Sequence, residues 1–554
     1  MRTRTTLLLG VVPLLVTVPL ISGAASVDTA AHQAGPAAAR TPAFPTPNPQ
    51  HLAVLNAVLA NISKDYPKFA QDSPGAQDIL DYNIGTLWRE GLDGTGTTVA
   101  VIEGWDDPQV GTVVHQFDQE YGLPDPDIQT IYPSGPLPAQ CPPGMVALGS
   151  YGSCEAWAGE LELDVLSAHL MAPYAKIVIS ATPADSEITD DAASQVAPPE
   201  MMRALEYVAD HHLADAMSIS DGTGETSYSN GKAEVTAQDP GLLAAAAAGI
   251  PVTVATGDCG VVQNLPQASA QCGNVTATPE TSTWDDSPWT TALGGSVPNI
   301  DSKTGQRLGS DPVWQDGVYS ENAGYSLIYS RPDYQNRVAA ITGSAMRSIP
   351  DITMDAQDGT SEAAPLFAGI LALAAQLNHG PVGPVNQALY GLLGPRGAQA
   401  GIADVRTGSD SVTNREKQLI PGFAAGNGFD VATGWGTIDA SRFVPALVGA
   451  VRTQGWNSPA HQASVAQTQL RQDLHLSPGS IPAGGISYLS GTGFLPGHPV
   501  QVTVDGKSVA TLTASVLGTV TDTIDPAQLN LPAGRHTVVL TSMLITLTAT
   551  VTTG

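Results

Sequence analysis

Positive charge is scarce in this chain. Its 554 residues include 23 lysines and arginines against 52 aspartates and glutamates, which gives a formal net charge of -29. A nucleic-acid-binding protein needs a basic surface to displace counterions from phosphates, so this balance excludes that class. An excess of carboxylates suits an acidic medium, where protonation discharges the surface, although acidic secreted proteins also use such charge simply for solubility.

Long hydrophobic runs are also few. The apolar stretch 7–21 is too short to span a membrane comfortably, follows a basic start at 1–4 and precedes small residues at 22–24 that are typical of a cleavage site. We therefore expect a secretory signal, an extracellular protein and no membrane span.

Cysteine is limited to four residues, Cys141, Cys154, Cys259 and Cys272. An even number in an exported protein favours disulfides. Of the three possible connectivities we prefer two local pairs, Cys141 with Cys154 and Cys259 with Cys272. A zinc site is the rival interpretation, and no Cys-x-x-Cys motif or nearby histidine cluster supports it.

The chain is long enough to bury a sizeable core, since 42% of its residues are hydrophobic. Between residues 97 and 256 short β-branched runs alternate with helical stretches, which predicts an α/β fold with a parallel sheet covered by helices on both faces. After residue 448 short Val/Thr/Leu strands alternate with Gly and Pro turns, which predicts a small all-β sandwich similar to immunoglobulin-like modules. We expect a signal peptide (1–25), a short leader or propeptide-like segment (26–75), a large domain (76–450), a linker (451–477) and the β-sandwich (478–554).

Candidate chemistry begins at Gly359-Thr360-Ser361, which precedes the apolar run 366–377. These small residues predict a serine presented at the start of a buried helix, where the amino-terminal N–H groups and the helix dipole favour an oxyanion. Pro365 is expected in the first turn. A small-residue turn before a core helix is also an ordinary helix entry, so the motif alone is weak.

Carboxylates occur in two further places of interest. Glu160 and Asp164 are spaced i, i+4 and share one helix face, which is unfavourable unless they share a proton, as general-base chemistry requires. Asp258 follows a predicted strand in a glycine turn. The alternatives are a solvated acidic first turn for Glu160, Glu162 and Asp164, and a simple cap of local N–H groups for Asp258.

These pieces, in this order, resemble the sedolisin family of serine-carboxyl peptidases, which are built on a subtilisin-like fold. The resemblance extends over about residues 78–448, and several separate motifs in the family order argue against chance. The matching segments are 99–103, the Glu160 and Asp164 pair, 218–220, 255–258, 292–295, 350–352 and 359–361.

The resemblance implies a nucleophile at Ser361, a general base at Glu160, a partner at Asp164 that orients Glu160 and shares its proton, and an oxyanion site at Asp258. Asp258 must then be protonated, because an ionised carboxylate would repel the oxyanion. The coupled pair titrates in acid, where a histidine base would be protonated and useless. We therefore expect an acid-acting, monomeric, secreted peptidase with protein or peptide substrates.

The family also has a calcium site near the end of its catalytic domain. The resemblance implies one structural calcium ion bound by the carboxylates of Asp404 and Asp430 and by the main-chain carbonyls of Val405, Gly426 and Gly428, with water completing the shell. Two Gly-Asp turns without a metal are the alternative.

Three departures from the family bear on function. Only the short segment 26–75 precedes the catalytic domain, where most sedolisins have a large folded propeptide. The hairpin that normally precedes Gly-Thr-Ser is shortened, and Asp221 stands where some relatives have a tryptophan that acts together with a glutamate matching Glu103. Glu103 and Asp221 either form a further acidic cluster with raised pKa values or are separated by water. The alternative function is a catalytically silent extracellular binding protein in which the scaffold and the β-module present a surface. In either case the β-module is expected to be a spacer, a contact to cell wall or glycan, or a structural cap.

Overall fold

The computed structural model describes residues 42–70, 72–141, 153–182, 199–228, 232–236, 238–265, 271–413, 417–454, 473–492, 494, 499–514, 520–542 and 545–554. The predicted signal peptide, the first part of the predicted leader and most of the predicted linker lie outside these residues.

A seven-stranded parallel sheet forms the centre of the large domain, which confirms the predicted α/β class. Its strands are almost entirely buried in the middle of the sheet, as β-branched runs covered on both faces should be. Because all pairs are parallel, the carboxyl ends of the strands share one edge, where reactive groups of such sheets are found. In spatial order the strands are Ile128–Ile131, Lys176–Ala181, Thr98–Glu103, Ala216–Ile219, Val252–Ala255, Thr291–Ser296 and Ile352–Asp355.

Helices cover both faces of this sheet. Side chains alternate along a strand, so Val99 and Val101 join the core on one face while Ala100 and Ile102 join the core on the other. The helices of the described residues are Pro49–Lys64, Tyr66–Phe69, Ala76–Asp81, Ile84–Arg89, Val110–Tyr121, Cys154–Met171, Pro199–Asp210, Lys232–Thr236, Asp239–Ala248, Ala339–Thr342, Thr360–Asn378, Asn386–Ala388, Gly394–Arg396 and Ala440–Gln454. Short strand pairs join Gly324–Ser330 to Met346–Ile349, Ile402–Ala403 to Thr437–Ile438, and Val412–Thr413 to Leu419–Ile420.

The described part of the predicted leader is integrated in the large domain. Part of this segment forms the helix Pro49–Lys64, whose residues Leu55, Val58 and Ile62 are buried in the main core. Nδ1 of His51 lies 2.8 Å from Oδ2 of Asp93. These contacts join the segment to the body of the domain, and a propeptide-like role for it stays a prediction.

The longest apolar helix, Thr360–Asn378, is a core element. Among the described residues it is the one helix long and apolar enough to cross a membrane. Of its most apolar stretch of 18 residues, 89% is buried inside the protein. Its apolar surface is therefore covered by the protein's own side chains.

The carboxyl-terminal strands form a separate hydrophobic core, as the sequence predicts for a β-module. One sheet contains Asp473–Ser477, Ser487–Thr492 and Val520–Ile524, and the other contains Ser480–Ile481, Ile545–Thr553, Gly534–Ser542, Pro499–Val504 and Lys507–Thr513. Phe494 and Leu540 are fully buried in its core. The pairing is antiparallel except between the first and second strands of the larger sheet. The strand Asp473–Ser477 begins upstream of the predicted boundary at residue 478.

Both predicted disulfides are present, Cys141 with Cys154 and Cys259 with Cys272. Each closes a loop of similar size, and the second lies next to a candidate site residue, Asp258. The zinc interpretation of these cysteines is therefore wrong.

Candidate active site

Ser361 lies in the first turn of Thr360–Asn378, which we call the serine helix. The preceding Gly359 has a φ of 94°, a left-handed value that favours glycine. A Cβ atom at this position would lie 2.8 Å from Oδ2 of Asp258. The turn therefore requires glycine both for its dihedral angle and for the close approach of Asp258.

Pro365 lies inside the serine helix, so the prediction that it occupies the first turn is wrong. Proline has no N–H, and the carbonyl it leaves without a helical partner is that of Ser361, four positions earlier. This carbonyl accepts a hydrogen bond of 3.1 Å from Oγ of Ser220 instead. Because Ser220 directly follows the strand Ala216–Ile219, the candidate nucleophile is tied to the edge of the sheet.

A second helix, Cys154–Met171, brings carboxylates to the serine, and we call it the glutamate helix. It packs closely on the serine helix, where a Cβ atom at Gly369 would lie only 2.6 Å from the carbonyl oxygen of Ala168. Glycine permits this approach. The packing brings the Glu160 carboxyl close enough to the Ser361 side chain for the hydroxyl to lower its pKa, against the larger effects of burial and Asp164.

Asp164 lies one turn further along the glutamate helix and is fully buried. Its Oδ1 and Oδ2 lie 2.8 and 3.0 Å from Oγ of Ser220. Its charge affects both Glu160 and Glu103, the last residue of the strand Thr98–Glu103. The sharing of a proton between Asp164 and Glu160 stays a prediction.

The hydroxyl of Ser220 has one proton and two acceptors, the carboxylate of Asp164 and the carbonyl of Ser361. If Asp164 carries a proton, it can donate to Ser220, which then donates to Ser361. If Asp164 is ionised, the Ser220 hydroxyl donates its hydrogen bond to Asp164, and the Ser361 carbonyl loses its donor. Burial raises the pKa of Asp164 to about 7, so the complete chain of hydrogen bonds belongs to the acid form.

The carboxyl groups around Ser361 repel one another when ionised. Burial, and then the charge of Asp164, raise the pKa of Glu160 well above its ordinary value, while the Ser361 hydroxyl opposes the shift. Burial and the charges of Asp164 and Glu160 likewise raise the pKa of Glu103. Three carboxyls in one buried group do not all ionise together, so the group titrates as a unit and holds protons to higher pH than isolated carboxyls.

Asp221 extends this acidic group. Its charge adds to the burial-raised pKa values of Glu103 and Glu160. Burial raises the pKa of Asp221 itself to about 6, and a hydrogen bond from the Gly222 N–H opposes this shift. Of the two arrangements that the sequence allows, this is the acidic cluster with raised pKa values.

Asp258 approaches the serine turn from the end of the strand Val252–Ala255. Its Oδ1 accepts hydrogen bonds from the backbone N–H and the hydroxyl of Thr360, at 2.7 and 2.9 Å. Its Oδ2 accepts a hydrogen bond from the side-chain amide of Gln271. The Thr360 hydroxyl is fixed in turn by the N–H of Gly257, at 2.9 Å.

These contacts define where a proton on Asp258 belongs. Burial raises the pKa of this carboxyl, and the donors from Thr360 and Gln271 lower it. Since Oδ1 already accepts two hydrogen bonds, the proton belongs on Oδ2, the oxygen that lies close to Gly359. A protonated Asp258 can therefore donate a hydrogen bond beside the serine turn.

Three polar residues of the site were not predicted to act there. Ser220 and Thr360 lie inside motifs that carry the family resemblance but received no role. Gln271 reaches Asp258 because its neighbour Cys272 is bonded to Cys259. The sequence signal that would have identified Gln271 is its place beside Cys272, since the predicted disulfide partner Cys259 stands beside the candidate carboxylate Asp258.

The predicted calcium ligands lie in one loop region. The N–H of Gly428 lies 3.1 Å from both carboxylate oxygens of Asp404, and Oδ2 of Asp430 accepts a hydrogen bond of 2.7 Å from the N–H of Gly426. Val405 is fully buried next to Asp404. Arg406, whose side chain is largely exposed, pairs with Oδ2 of Asp404 at 2.8 Å.

These residues fit a hard cation in chemistry. Burial, and to a smaller extent the charge of Asp404, raise the pKa of Asp430, so a positive charge between the two would relieve an existing repulsion. Carboxylate and carbonyl oxygens are the ligands that calcium prefers. Arg406 is a competitor for Asp404, and its exposure lets it move into solvent.

Comparison with known proteins adds to this geometry. The chain is 28% identical over 405 residues to kumamolisin from Bacillus sp. (strain MN-32), an alignment that covers 68% of this chain and 64% of kumamolisin. It is 25% identical over 389 residues to sedolisin from Pseudomonas sp. (strain 101), covering 65% of this chain and 58% of sedolisin. The chain therefore matches about three-fifths of the length of these two relatives.

Among solved structures, Pseudomonas sedolisin, described as a serine-carboxyl proteinase in complex with pseudo-iodotyrostatin, aligns with a TM-score of 0.54 and 23% identity. The alignment covers 68% of this chain and 97% of that one, which shows a common fold. No family model matches the chain. The parallel sheet with its flanking helices and the alignment with sedolisin show that the chain has a subtilisin-like fold, and the similarity to kumamolisin and sedolisin supports the sedolisin family.

Proposed function

We propose that this protein is a secreted, acid-acting serine-carboxyl peptidase that cleaves peptide bonds through an acyl-enzyme on Ser361. The observation that supports this most directly is the contact between Glu160 and the Ser361 side chain, at a helix start that Asp258 also approaches. A base, a nucleophile and an oxyanion donor are the groups that acyl transfer requires.

In the first step ionised Glu160 takes the hydroxyl proton of Ser361 as Oγ attacks the carbonyl carbon of the substrate. The electron pair of the carbonyl moves to its oxygen, which accepts a hydrogen bond from protonated Asp258 and lies at the positive end of the serine helix dipole. The tetrahedral intermediate then expels the amine, which takes the proton from Glu160. The product of this half-reaction is an ester on Ser361.

In the second step Glu160 takes a proton from water, which attacks the ester carbonyl. The same groups stabilise the second oxyanion, and Ser361 leaves with the proton that Glu160 returns. Asp164, Glu103 and Ser220 act as positioning residues, because they hold the helix start and set the charge around Glu160.

The mechanism requires opposite protonation states in two carboxyls. Glu160 must be ionised, so activity rises with pH through the titration of the group that contains it. Asp258 must be neutral, so activity falls as pH passes its raised pKa. The expected profile is a bell in the acid range, and its two limits belong to the coupled group rather than to single residues.

We also propose secretion and the domain organisation expected from the sequence, with the described part of the segment 26–75 retained in the fold. The two disulfides support an oxidising compartment. Protein or peptide substrates and a monomeric state are part of the proposal, as is a spacer or wall-binding role for the β-module.

The proposal is tested by cleavage of a denatured protein between pH 2 and pH 8, comparing the full-length protein with Ser361→Ala. We expect cleavage limited to acid and a loss of about 10⁴-fold or more in the variant, because no other hydroxyl replaces the nucleophile. Circular dichroism at each pH checks that the variant is folded.

Two results would reject the peptidase. Cleavage that persists in Ser361→Ala would place the chemistry elsewhere or in a contaminant. Absence of cleavage by folded protein at every pH, with the amino terminus verified by mass spectrometry, would instead favour the catalytically silent binding protein.

We propose in addition one structural calcium ion, held by Asp404, Asp430 and the carbonyls of Val405, Gly426 and Gly428. Calcium would neutralise the two carboxylates and fix the loop. We expect millimolar calcium to raise the melting temperature of the wild-type protein at pH 5 and to have no effect on Asp430→Asn. Arg406→Gln removes the competing cation, so its response should be equal to or larger than that of the wild type. An unchanged response in Asp430→Asn would contradict this ligand set.

A further inference from the structure

A second group of carboxyls lies behind Ser361, and the mechanism does not use it. Asp78, Asp355 and Glu362, which we call the rear cluster, are all fully buried. One carboxylate oxygen from each lies within 4.8 Å of the others. Glu362 directly follows Ser361, Asp355 ends the last strand of the sheet, and Asp78 belongs to the helix Ala76–Asp81.

The rear cluster fastens the loop that leads into the serine. The N–H of Gln357 donates to Oδ1 of Asp355 at 3.1 Å, and the N–H of Asp358 donates to Oε2 of Glu362 at 3.1 Å. The backbone N–H groups of Gln357 and Asp358, the two residues before Gly359, therefore both donate to this cluster. The position of the nucleophile turn depends on the same carboxyls.

The rear cluster also joins the amino-terminal segment to the serine helix. Oγ of Ser73 lies 2.7 and 2.9 Å from the two oxygens of Glu362. The side-chain amide of Gln77 donates to Oδ2 of Asp355 at 3.0 Å, and the N–H of Gly75 donates to Oδ2 of Asp78 at 2.8 Å.

No cation balances these three charges among the described residues. None of the ion pairs there includes a member of the rear cluster. Arg307, the nearby cation, is paired with Asp81 and Asp311. The other titratable groups that act on the cluster, Asp81, Asp358 and the tyrosines Tyr66, Tyr82 and Tyr121, add negative charge or none.

Buried like charges without a cation are neutralised by protons. Burial, followed by the charge of a neighbouring member, raises the pKa of each of the three carboxyls. Carboxylate oxygens of Asp78 and Asp355 lie within 4.8 Å of each other, so the two buried carboxyls can share a proton.

We propose that the rear cluster is a proton-dependent clamp that positions the Ser361 turn, and that its deprotonation contributes to the alkaline limit of activity in addition to the ionisation of Asp258. With the proton present, Asp355 bonds to Asp78 and the loop 356–358 is held. Without it, uncompensated negative charges repel and release the loop and the Ser73 contact. Glu362 and Asp355 are thus positioning residues. This inference rests on the proposed peptidase function.

The test uses Asp355→Asn, because asparagine keeps a donor toward Asp78 and has no proton to lose. The side chains of Gln77 and Gln357 can turn their amide oxygens toward it. We measure kcat/KM of the full-length protein on a fluorogenic peptide from pH 3 to pH 8. We expect activity near that of the wild type in acid and an alkaline midpoint higher by about one pH unit.

Ser73→Ala is the matched control, since it removes the contact to Glu362 without changing the charge of the cluster. We expect it to lower kcat/KM at every pH and, because the Ser73 hydroxyl opposes the effect of burial on the pKa of Glu362, to raise the midpoint by less than Asp355→Asn does. If Asp355→Asn does not fold, Glu362→Gln tests the same idea, because its amide oxygen still accepts from Ser73 and one charge is removed. An alkaline midpoint in the folded variant equal to that of the wild type would overturn the clamp.

A second readout separates this inference from the proposed function. The melting temperature without substrate should fall less between pH 5 and pH 8 in Asp355→Asn than in the wild type, even if the protein cleaves nothing. An equal fall in melting temperature in the two proteins would reject the clamp, whether or not the protein is a peptidase. A rise in melting temperature with calcium or manganese that Asp355→Asn abolishes would also overturn it, in favour of a cation site.

Discussion

Replacing Glu160 with glutamine is expected to lower kcat by about 10³-fold or more, because the amide cannot accept the proton of Ser361. Glutamine preserves the size of the side chain and its position on the glutamate helix. KM should change little, since Glu160 is proposed to act on the proton rather than on substrate binding. Single-turnover kinetics at the pH of maximal activity provides the measurement.

Glu162→Gln is the control for this substitution. Glu162 lies two residues along the same helix, is only partly buried, and interacts with Asp107 rather than with Ser361. We expect its kcat within about twofold of the wild type, since it is a surface change away from the reacting groups. Comparable losses in both variants would indicate damage to the glutamate helix, and a small loss in Glu160→Gln would remove Glu160 as the base.

The sequence was sufficient to predict those parts of the fold and site that depend on local patterns. The run 99–102, in which three of four residues are β-branched, predicts a buried strand, because such residues pack well on a pleated surface covered on both sides. The spacing of Glu160 and Asp164 places both on one helix face whatever the tertiary structure. The even number of cysteines favoured disulfides, and both of the preferred local pairs are present.

The contacts that depend on packing between distant segments were not predictable. Glu103 reaches Asp164 only because a strand end and a helix meet at the sheet edge. Ser73 and Glu362 are separated by 289 residues, so no local spacing links them. The position of Pro365 was predicted wrongly for the same reason. A proline in the sequence favours the first turn of a helix. The hydroxyl that bonds to the carbonyl left free by Pro365 belongs to Ser220, at the end of a distant strand.

Stability of the site is tied to one buried ion pair behind the sheet. Nη1 and Nη2 of Arg347 lie 2.7 and 2.6 Å from Oδ1 and Oδ2 of Asp351, and both side chains are fully buried. Asp351 also accepts hydrogen bonds from the hydroxyl of Tyr390, the amide of Asn386 and the N–H of Ala292. The carboxylate is thus held between the strands Thr291–Ser296 and Ile352–Asp355, next to the chain that leads to Ser361.

Arg347→Met is therefore expected to cost about 3–5 kcal/mol of the free energy of unfolding, because it leaves a buried carboxylate without its counter-ion. Urea unfolding at pH 7 provides the measurement. Arg442→Met is the control: this arginine is largely exposed and lies 3.5 Å from Asp439, so its loss should be below about 1 kcal/mol. A loss in Arg347→Met no larger than that of Arg442→Met would show that the pair contributes little.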